Sequence, residues 1–390
     1  MFKAFKYRLY PNKGQMELLN KHIGATRFVY NLALETKTTA YAGNRINLSC
    51  FDLNNQLPEL KKVCTWLKEI NSQSLQAPIR NLDNAFTRFY KGQGDFPVYK
   101  SKWRGKQSFN VQQSIKITGD KLMIPKFKGG IKIKQHRLTV GIIKSATISR
   151  TPTGKFFVSI LCDTGTECEP HKPINHGTTI GIDLGIKDYL ITSDGEVVSN
   201  PKWLREAESK LKYTQRKYSK HKGKRTKHKL AVLHEKVANK RRDFLHQVSS
   251  MLVKENHSLA LEDLNVAGMM KNHCLAKSIS DASWGMFTTM LSYKASWYGV
   301  NLLKIGRFEP SSKTCSVCGN INKQLTLADC EWSCSACGTH HDRDINAAIN
   351  IKNFALKNYK VSGMDTQTQD ELPTLVGVMT PEAHQSLAGV

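Results

Sequence analysis

Four cysteines constrain this chain more than any other feature. They read Cys315-Ser316-Val317-Cys318, then fifteen residues, then Cys334-Ser335-Ala336-Cys337. C-x2-C-x15-C-x2-C is zinc-ribbon spacing, because two residues between thiolates let one tight turn aim both sulfurs at a tetrahedral ion. Gly319 and Gly338, each directly after a pair, suit that turn. Four thiolates fill the coordination sphere and leave no position for water, so the expected Zn2+ is structural. His340 and His341 are then surplus to the ligand set, and Cys330 breaks the spacing. Cys50, Cys64, Cys162, Cys168 and Cys274 are scattered and read as bystanders.

Charge narrows the partner. The 390 residues carry 58 Lys and Arg against 32 Asp and Glu, a formal net charge of +26. Such an excess opposes compaction unless a polyanion offsets it, and nucleic acid is the first candidate. An anionic membrane is the weaker one, since no stretch of about 18 apolar residues is found. The opening Met1-Phe2-Lys3-Ala4-Phe5-Lys6 carries charge where a signal peptide would be apolar, so a cytosolic setting is expected. Residues 201–246 hold sixteen Lys and Arg and four acids, a segment charge of +12. Apolar residues such as Leu211, Leu233 and Leu245 keep this stretch helical, and Arg216, Lys217, Arg225, Arg241 and Arg242 are its candidate phosphate contacts. Lys102 and Arg104, in a basic loop with interleaved aromatics, are two more.

The period of the apolar residues divides the chain. Residues 1–10 alternate as a strand, and Asn12 opens a helix with Leu19, Ile23, Tyr30 and Ala33 on one face. A second helix is predicted over about 53–70, and a third where Leu75, Ile79, Leu82 and Phe86 form a stripe ended by Gly92. From 111 to 163 the pattern is hairpins, with turns at Gly119-Asp120 and Thr153-Gly154, consistent with a small barrel that the opening strand could join. After a polar linker come three strands, helices over about 201–257 interrupted near 221–223, strand 258–264, a polar loop 265–280 expected to be disordered, helix 284–298 and strand 300–305. The cysteine pairs follow, then a helix from Asp344 to Asn358. The last thirty residues, 361–390, have no Lys or Arg and four acids, and are expected to be a disordered tail.

Three acids lie at the ends of these elements: Asp183 in TTIGIDLGIKD, Glu262 in SLALEDL and Asp344 in HDRDINAAIN. An acid in an apolar strand is expensive to bury unless it pairs or binds a cation. Strand ends and a helix start can converge three carboxylates on two Mg2+ ions about 4 Å apart, a site for phosphodiester hydrolysis. The bland alternative is that each acid merely ends or caps its element, as Asp commonly does. Strand–hairpin–helix–strand–helix–strand–helix order favours a ribonuclease H-like nuclease layer.

Taken in order, GIDLGIKD, LALEDLN, CSVC…CSACG and HDRDINAAINI resemble the TnpB (OrfB-type) proteins of bacterial insertion sequences, over about residues 1–356. That resemblance, also carried by FKYRLYPNKGQMELLNKHIGATRFVYN and ISDASWGMFTTMLSYKASWYG, implies an RNA-guided DNA endonuclease related to type V CRISPR effectors. It implies an α/β fold: a split wedge-type β-barrel (1–10 and 93–170), a helical recognition domain (11–92), a RuvC-like nuclease (176–310 and 341–358) and an inserted zinc ribbon (311–340). Asp183, Glu262 and Asp344 take the family's catalytic positions. The implied partners are a guide RNA from the transposon end and double-stranded DNA, with guide pairing reading the target and the protein reading a short adjacent motif. Gln76 and Asn110, with Asn54 nearby, fall on the motif-reading face, where amide side chains suit adenine edges. Ser72 and Cys330 depart from the family pattern, which often has a basic residue at each. A monomer in the bacterial cytosol, associated with the nucleoid, is expected. The competing readings are a guide-directed repressor that binds without cutting and a transposase or transposase accessory protein.

Overall fold

In a computed structural model, residues 1–361 are described, except Arg104 and Leu327. The expected tail over 361–390 therefore falls almost entirely outside the described residues. The chain divides into two compact units, Met1–Thr166 and the chain from Glu167 onward.

The first unit opens with β1 (Phe2–Tyr10) and the long α1 (Lys13–Asn44). Asn12 caps α1 reciprocally with Gln15: its side chain accepts from the Gln15 N–H at 2.8 Å, and the Gln15 side chain accepts from the Asn12 N–H at 3.1 Å. The single helix expected over 53–70 is instead α2 (Cys50–Asn55), α3 (Leu57–Val63) and a 3-10 turn, Thr65–Glu69. Pro58 sits in the first turn of α3, where its missing N–H costs no helical hydrogen bond, and so marks the restart after α2. Next, α4 (Ser72–Tyr90) buries Leu75, Ile79, Leu82 and Phe86 against α1 residues such as Val29 and Leu34. Then come β2 (Gln107–Val111), β3 (Lys116–Thr118), β4 (Lys121–Met123), β5 (Ile131–Lys134), β6 (Ile142–Arg150) and β7 (Phe156–Asp163). They form an antiparallel sheet of order β2-β6-β7-β1-β5-β4-β3. The N-terminal strand is thus central, and the helices are an insertion between β1 and β2. Among the described residues no pairing joins the edge strands β2 and β3 into a closed barrel.

The second unit begins with β8 (Thr179–Leu184), β9 (Asp188–Thr192) and β10 (Val197–Ser199), then α5 (Trp203–His221) and α6 (Lys224–Glu255). Lys222, at φ 43°, makes the left-handed break between the helices. β11 (Ser258–Glu262) follows. The loop expected to be disordered instead contains α7 (Val266–Met269) and α8 (Ala276–Ala282). The Asn265 side chain caps α7 at 3.0 Å, while Leu264, Val266, Met269 and Met270 pack on the core and pin a segment that reads as polar overall. α9 (Trp284–Trp297), β12 (Asn301–Ile305), the short β13 (Glu331–Ser333) and β14 (His340–Asp342), and α10 (Arg343–Val361) complete the unit.

Its main sheet has the order β10-β9-β8-β11-β12, with β8, β11 and β12 parallel and the first three strands antiparallel. This is a ribonuclease H-like, RuvC-type α/β layer. Strand alternation sorts the faces. Ile180, Ile182, Leu259 and Leu261 join a core with Leu245 and Leu252 of α6 and Phe287 and Leu291 of α9. Ala260 packs on Ile351 and Ala355 of α10, on the opposite face.

Candidate active site and metal centre

Asp183 and Glu262 share that α10 face. In the parallel register Leu261 lies beside Ile182, so the next residues, Glu262 and Asp183, are neighbours at the strand ends. Gly181 decides where the third acid lands. A Cβ there would sit 2.0 Å from the Ala348 carbonyl oxygen and 2.8 Å from the Lys352 nitrogen, so only glycine lets α10 lie directly on β8. From Ala348 back to Asp344 the helix rises about 6 Å, and from Gly181 to Asp183 the strand advances about 6.6 Å. Asp344 is thereby carried over the end of β8.

Asp344 does not cap its own helix. The Asp342 side chain does, accepting from the N–H groups of Asp344 at 2.9 Å and Ile345 at 3.0 Å. That leaves the Asp344 carboxylate for the site, where Arg343 holds it at 3.0 Å. Ser311 donates to Glu262 Oε1 at 2.5 Å. Burial, reinforced by the Glu262 and Asp344 charges, pushes the Asp183 carboxyl up to about 7, against the smaller opposing pull of Arg343. The three predicted acids are therefore within electrostatic reach of one another. They do not converge as tightly as the cysteines, which are the one group of three or more metal-ligating side chains among the described residues whose ligand atoms all lie within 4.8 Å.

The four cysteines fit a tetrahedral ion. Cys315 Sγ lies 3.7 Å from Cys337 Sγ, and Cys318 Sγ 3.5 Å from Cys334 Sγ. Sulfurs about 2.3 Å from a common zinc would be about 3.8 Å apart. Each knuckle is closed by a glycine N–H, Gly319 to Cys315 O and Gly338 to Cys334 O, both at 2.9 Å. The Cys337 and Ala336 N–H groups hold the Cys334 thiol below its ordinary value, while contacts with the other three sulfurs push the Cys318 thiol up, as thiols sharing protons in one cluster do. Cys330 lies outside the cluster, and its carbonyl accepts from the Arg343 N–H at 2.8 Å. His341 is buried against Trp332, with Nε2 3.1 Å from Cys315 Sγ, so it touches a ligand of the four-cysteine set.

The predicted nucleic-acid contacts divide. Arg216, Lys217 and Arg225 are exposed, and Arg242 is half-buried. Arg241 is instead committed internally: it pairs with Asp281 at 2.6 Å, and Asp281 also accepts from the Leu204 N–H at the start of α5. A charge run does not show which of its members faces inward. In the first unit Gln76 is exposed on α4. The Asn110 amide donates to Thr147 at 3.1 Å and the Asn54 amide to the Cys50 carbonyl at 2.7 Å. Lys102 is exposed, its ammonium 5.3 Å from the Trp103 ring centre, and Arg104 falls outside the described residues. Sequence reasoning missed Gly181, Asp342 and Ser311. The glycine inside an apolar strand was the one visible signal, since it marks a close backbone approach.

A ribonuclease H-like sheet with strand-end acids and a nested cysteine ribbon defines a RuvC-type nuclease architecture. Comparison with known proteins places the chain more narrowly. Three family models match: "Helix-turn-helix domain" over residues 1–45, "Probable transposase" over 159–273 and "Cas12f1-like, TNB domain" over 284–351. Despite the first description, residues 1–45 form one strand and one long helix. A "Putative RNA-guided DNA endonuclease" of Streptomyces pristinaespiralis is 38% identical, the match covering 90% of this chain and 88% of the relative. Another, InsQ of Escherichia coli strain K12, is 28% identical over 90% of this chain and 91% of its own length. A solved Cas12f1-sgRNA-target DNA complex superposes with a TM-score of 0.54 at 15% identity, covering 88% of this chain and 83% of that one, and so shares the fold. The chain belongs to the TnpB (OrfB-type) family. Among the described residues no helix is long and apolar enough to cross a membrane.

Proposed function

We propose that this chain is a transposon-encoded RNA-guided DNA endonuclease, with Asp183, Glu262 and Asp344 as its catalytic acids and a structural zinc on Cys315, Cys318, Cys334 and Cys337. The carboxylate cluster carries this reading. Two strand ends and a helix start bring three acids within electrostatic reach of one another, and the Asp183 carboxyl is pushed to about 7. A fold keeps a carboxyl at such a cost, burial first and neighbouring charge second, where a cation is to be held. Two Mg2+ ions bound there would lower the pKa of the attacking water and stabilise the leaving 3′ oxygen. The protein's own part is placement. β8 and β11 fix Asp183 and Glu262 on one face, and the Asp342 cap frees Asp344 to join them. Arg343 neutralises Asp344 until a cation competes for it.

The relatives' names and the shared fold support a guide RNA and a DNA target as partners. Exposed Arg216, Lys217 and Arg225 are suited to a phosphate backbone, which gives affinity and register without sequence. Half-buried Arg242 and exposed Lys102 are further phosphate contacts. In the first unit, Gln76 with Asn110 and Asn54 would read the adjacent motif. A monomer acting in the bacterial cytosol completes the reading.

The test is cutting of a matched plasmid by the purified protein with its guide RNA. The Asp183→Ala complex is expected to bind the target and leave it intact. Cutting by that variant at the normal rate would refute the site assignment, and a protein purified without any defined RNA would refute guided cutting.

A further inference from the structure

The segment between β12 and the first cysteine knuckle is laced to α10 by two buried asparagines. Asn346 and Asn350 lie four residues apart, so they share one helix face, and they are 1% and 2% exposed. Asn346 Nδ2 donates to the Thr314 carbonyl at 2.8 Å and the Ser312 carbonyl at 3.4 Å, while its Oδ1 accepts from the Ser316 N–H at 2.9 Å. Asn350 Nδ2 donates to the carbonyls of Ser311 at 2.7 Å and Thr314 at 2.6 Å. Buried amides persist in a fold when their hydrogen bonds are met, and these are met by the backbone of the 311–316 segment. That segment contains Cys315 at one end and Ser311 at the other.

Ser311 is 5% exposed, and its hydroxyl donates to Glu262 Oε1 at 2.5 Å. That bond engages one of the two Glu262 carboxylate oxygens, Oε1. A plain structural staple would need only the asparagines and the backbone. The serine hydroxyl adds a donor aimed at a carboxylate that already stands beside Asp183 on the neighbouring strand.

The geometry points to Ser311 as a positioning residue: it holds the Glu262 carboxylate in one orientation, with Oε2 turned to the cation, and is itself set in place by Asn346 and Asn350. The first ribbon knuckle and the carboxylate site are then one hydrogen-bonded unit. This rests on the proposed role of the acids. Outer-sphere hydrogen bonds of this kind are worth about 10- to 100-fold in metal affinity.

The experiment uses the full chain with its ribbon zinc in place and titrates Mn2+ by electron paramagnetic resonance, beside the Mn2+ dependence of plasmid cutting by the guide-loaded complex. Ser311→Ala is expected to weaken Mn2+ binding about 10-fold and to raise the half-saturating Mn2+ for cutting by a similar factor. Zinc content and melting temperature should not change, and Ser311→Thr, which keeps the hydroxyl, should restore affinity. Unchanged Mn2+ affinity in Ser311→Ala, or a threonine variant as weak as the alanine one, would overturn the inference. If the wild-type complex cuts nothing, the nuclease reading fails, and the Mn2+ titration still decides the role of Ser311.

Discussion

Replacing Asp183 by Asn should remove the proposed chemistry and stabilise the cation-free protein. The carboxyl is pushed from its ordinary 3.8 to about 7 by burial, Glu262 and Asp344. The sign follows from linkage. Below pH 4 the acid is protonated in both folded and unfolded chains, and folding costs nothing extra. Between pH 4 and pH 7 the unfolded chain releases the proton while the folded one keeps it, so stability falls as pH rises, levelling off above 7. Roughly three pH units at about 1.36 kcal/mol each set the ceiling at about 4 kcal/mol. The same arithmetic gives Asn an advantage of about 2 kcal/mol at pH 5 and about 4 kcal/mol at pH 8. The assay is hydrogen exchange of β8 and β11 amides, which reports on this unit by itself. Buffers should lack divalent cations but contain no chelator, so that the ribbon keeps its zinc. Adding Mg2+ should then stabilise wild type and leave Asp183→Asn unchanged. If Asp183→Asn is no more stable than wild type at pH 8, or its advantage does not grow between pH 5 and pH 8, Asp183 is not a carboxyl destabilised by burial and by its acidic neighbours.

Four further outcomes are expected. Gly181→Ala puts a methyl 2.0 Å from the Ala348 carbonyl, so it should cost about 1–3 kcal/mol in urea unfolding and abolish cutting by lifting Asp344 away from β8. Cys318→Ser should lower zinc, read by elemental analysis, from one per chain to well under one, and reduce cutting, because the ribbon's small core is Cys315, Leu325, Trp332 and Cys334. Replacing exposed Arg216 and Lys217 together by Ala should weaken nucleic-acid binding and flatten its salt slope by about 2, whereas Arg241→Ala should mainly destabilise the fold by freeing Asp281.

The parts that depend on local spacing are legible in the linear chain. Cysteine pairs at fixed intervals specify a tetrahedral site because the knuckle is a single turn, and the sulfur separations of 3.5 and 3.7 Å agree. Apolar periodicity located α4, the split of α5 from α6, and the two strands that carry Asp183 and Glu262. The same periodicity overran the break at Pro58 and missed α7 and α8, where a few apolar side chains in a polar stretch dock on a core the window cannot contain. How the acids approach one another follows from the packed fold. The parallel register of β8 and β11 makes Asp183 and Glu262 neighbours, the bare backbone of Gly181 admits α10, and Asp342 takes over the cap that would have occupied Asp344. It also turned Arg241 inward to Asp281 while leaving Arg216 in solvent. Except for the Asp342 cap, which is local, those outcomes depend on pairings between residues tens of positions apart, and a linear pattern carries no distance between them.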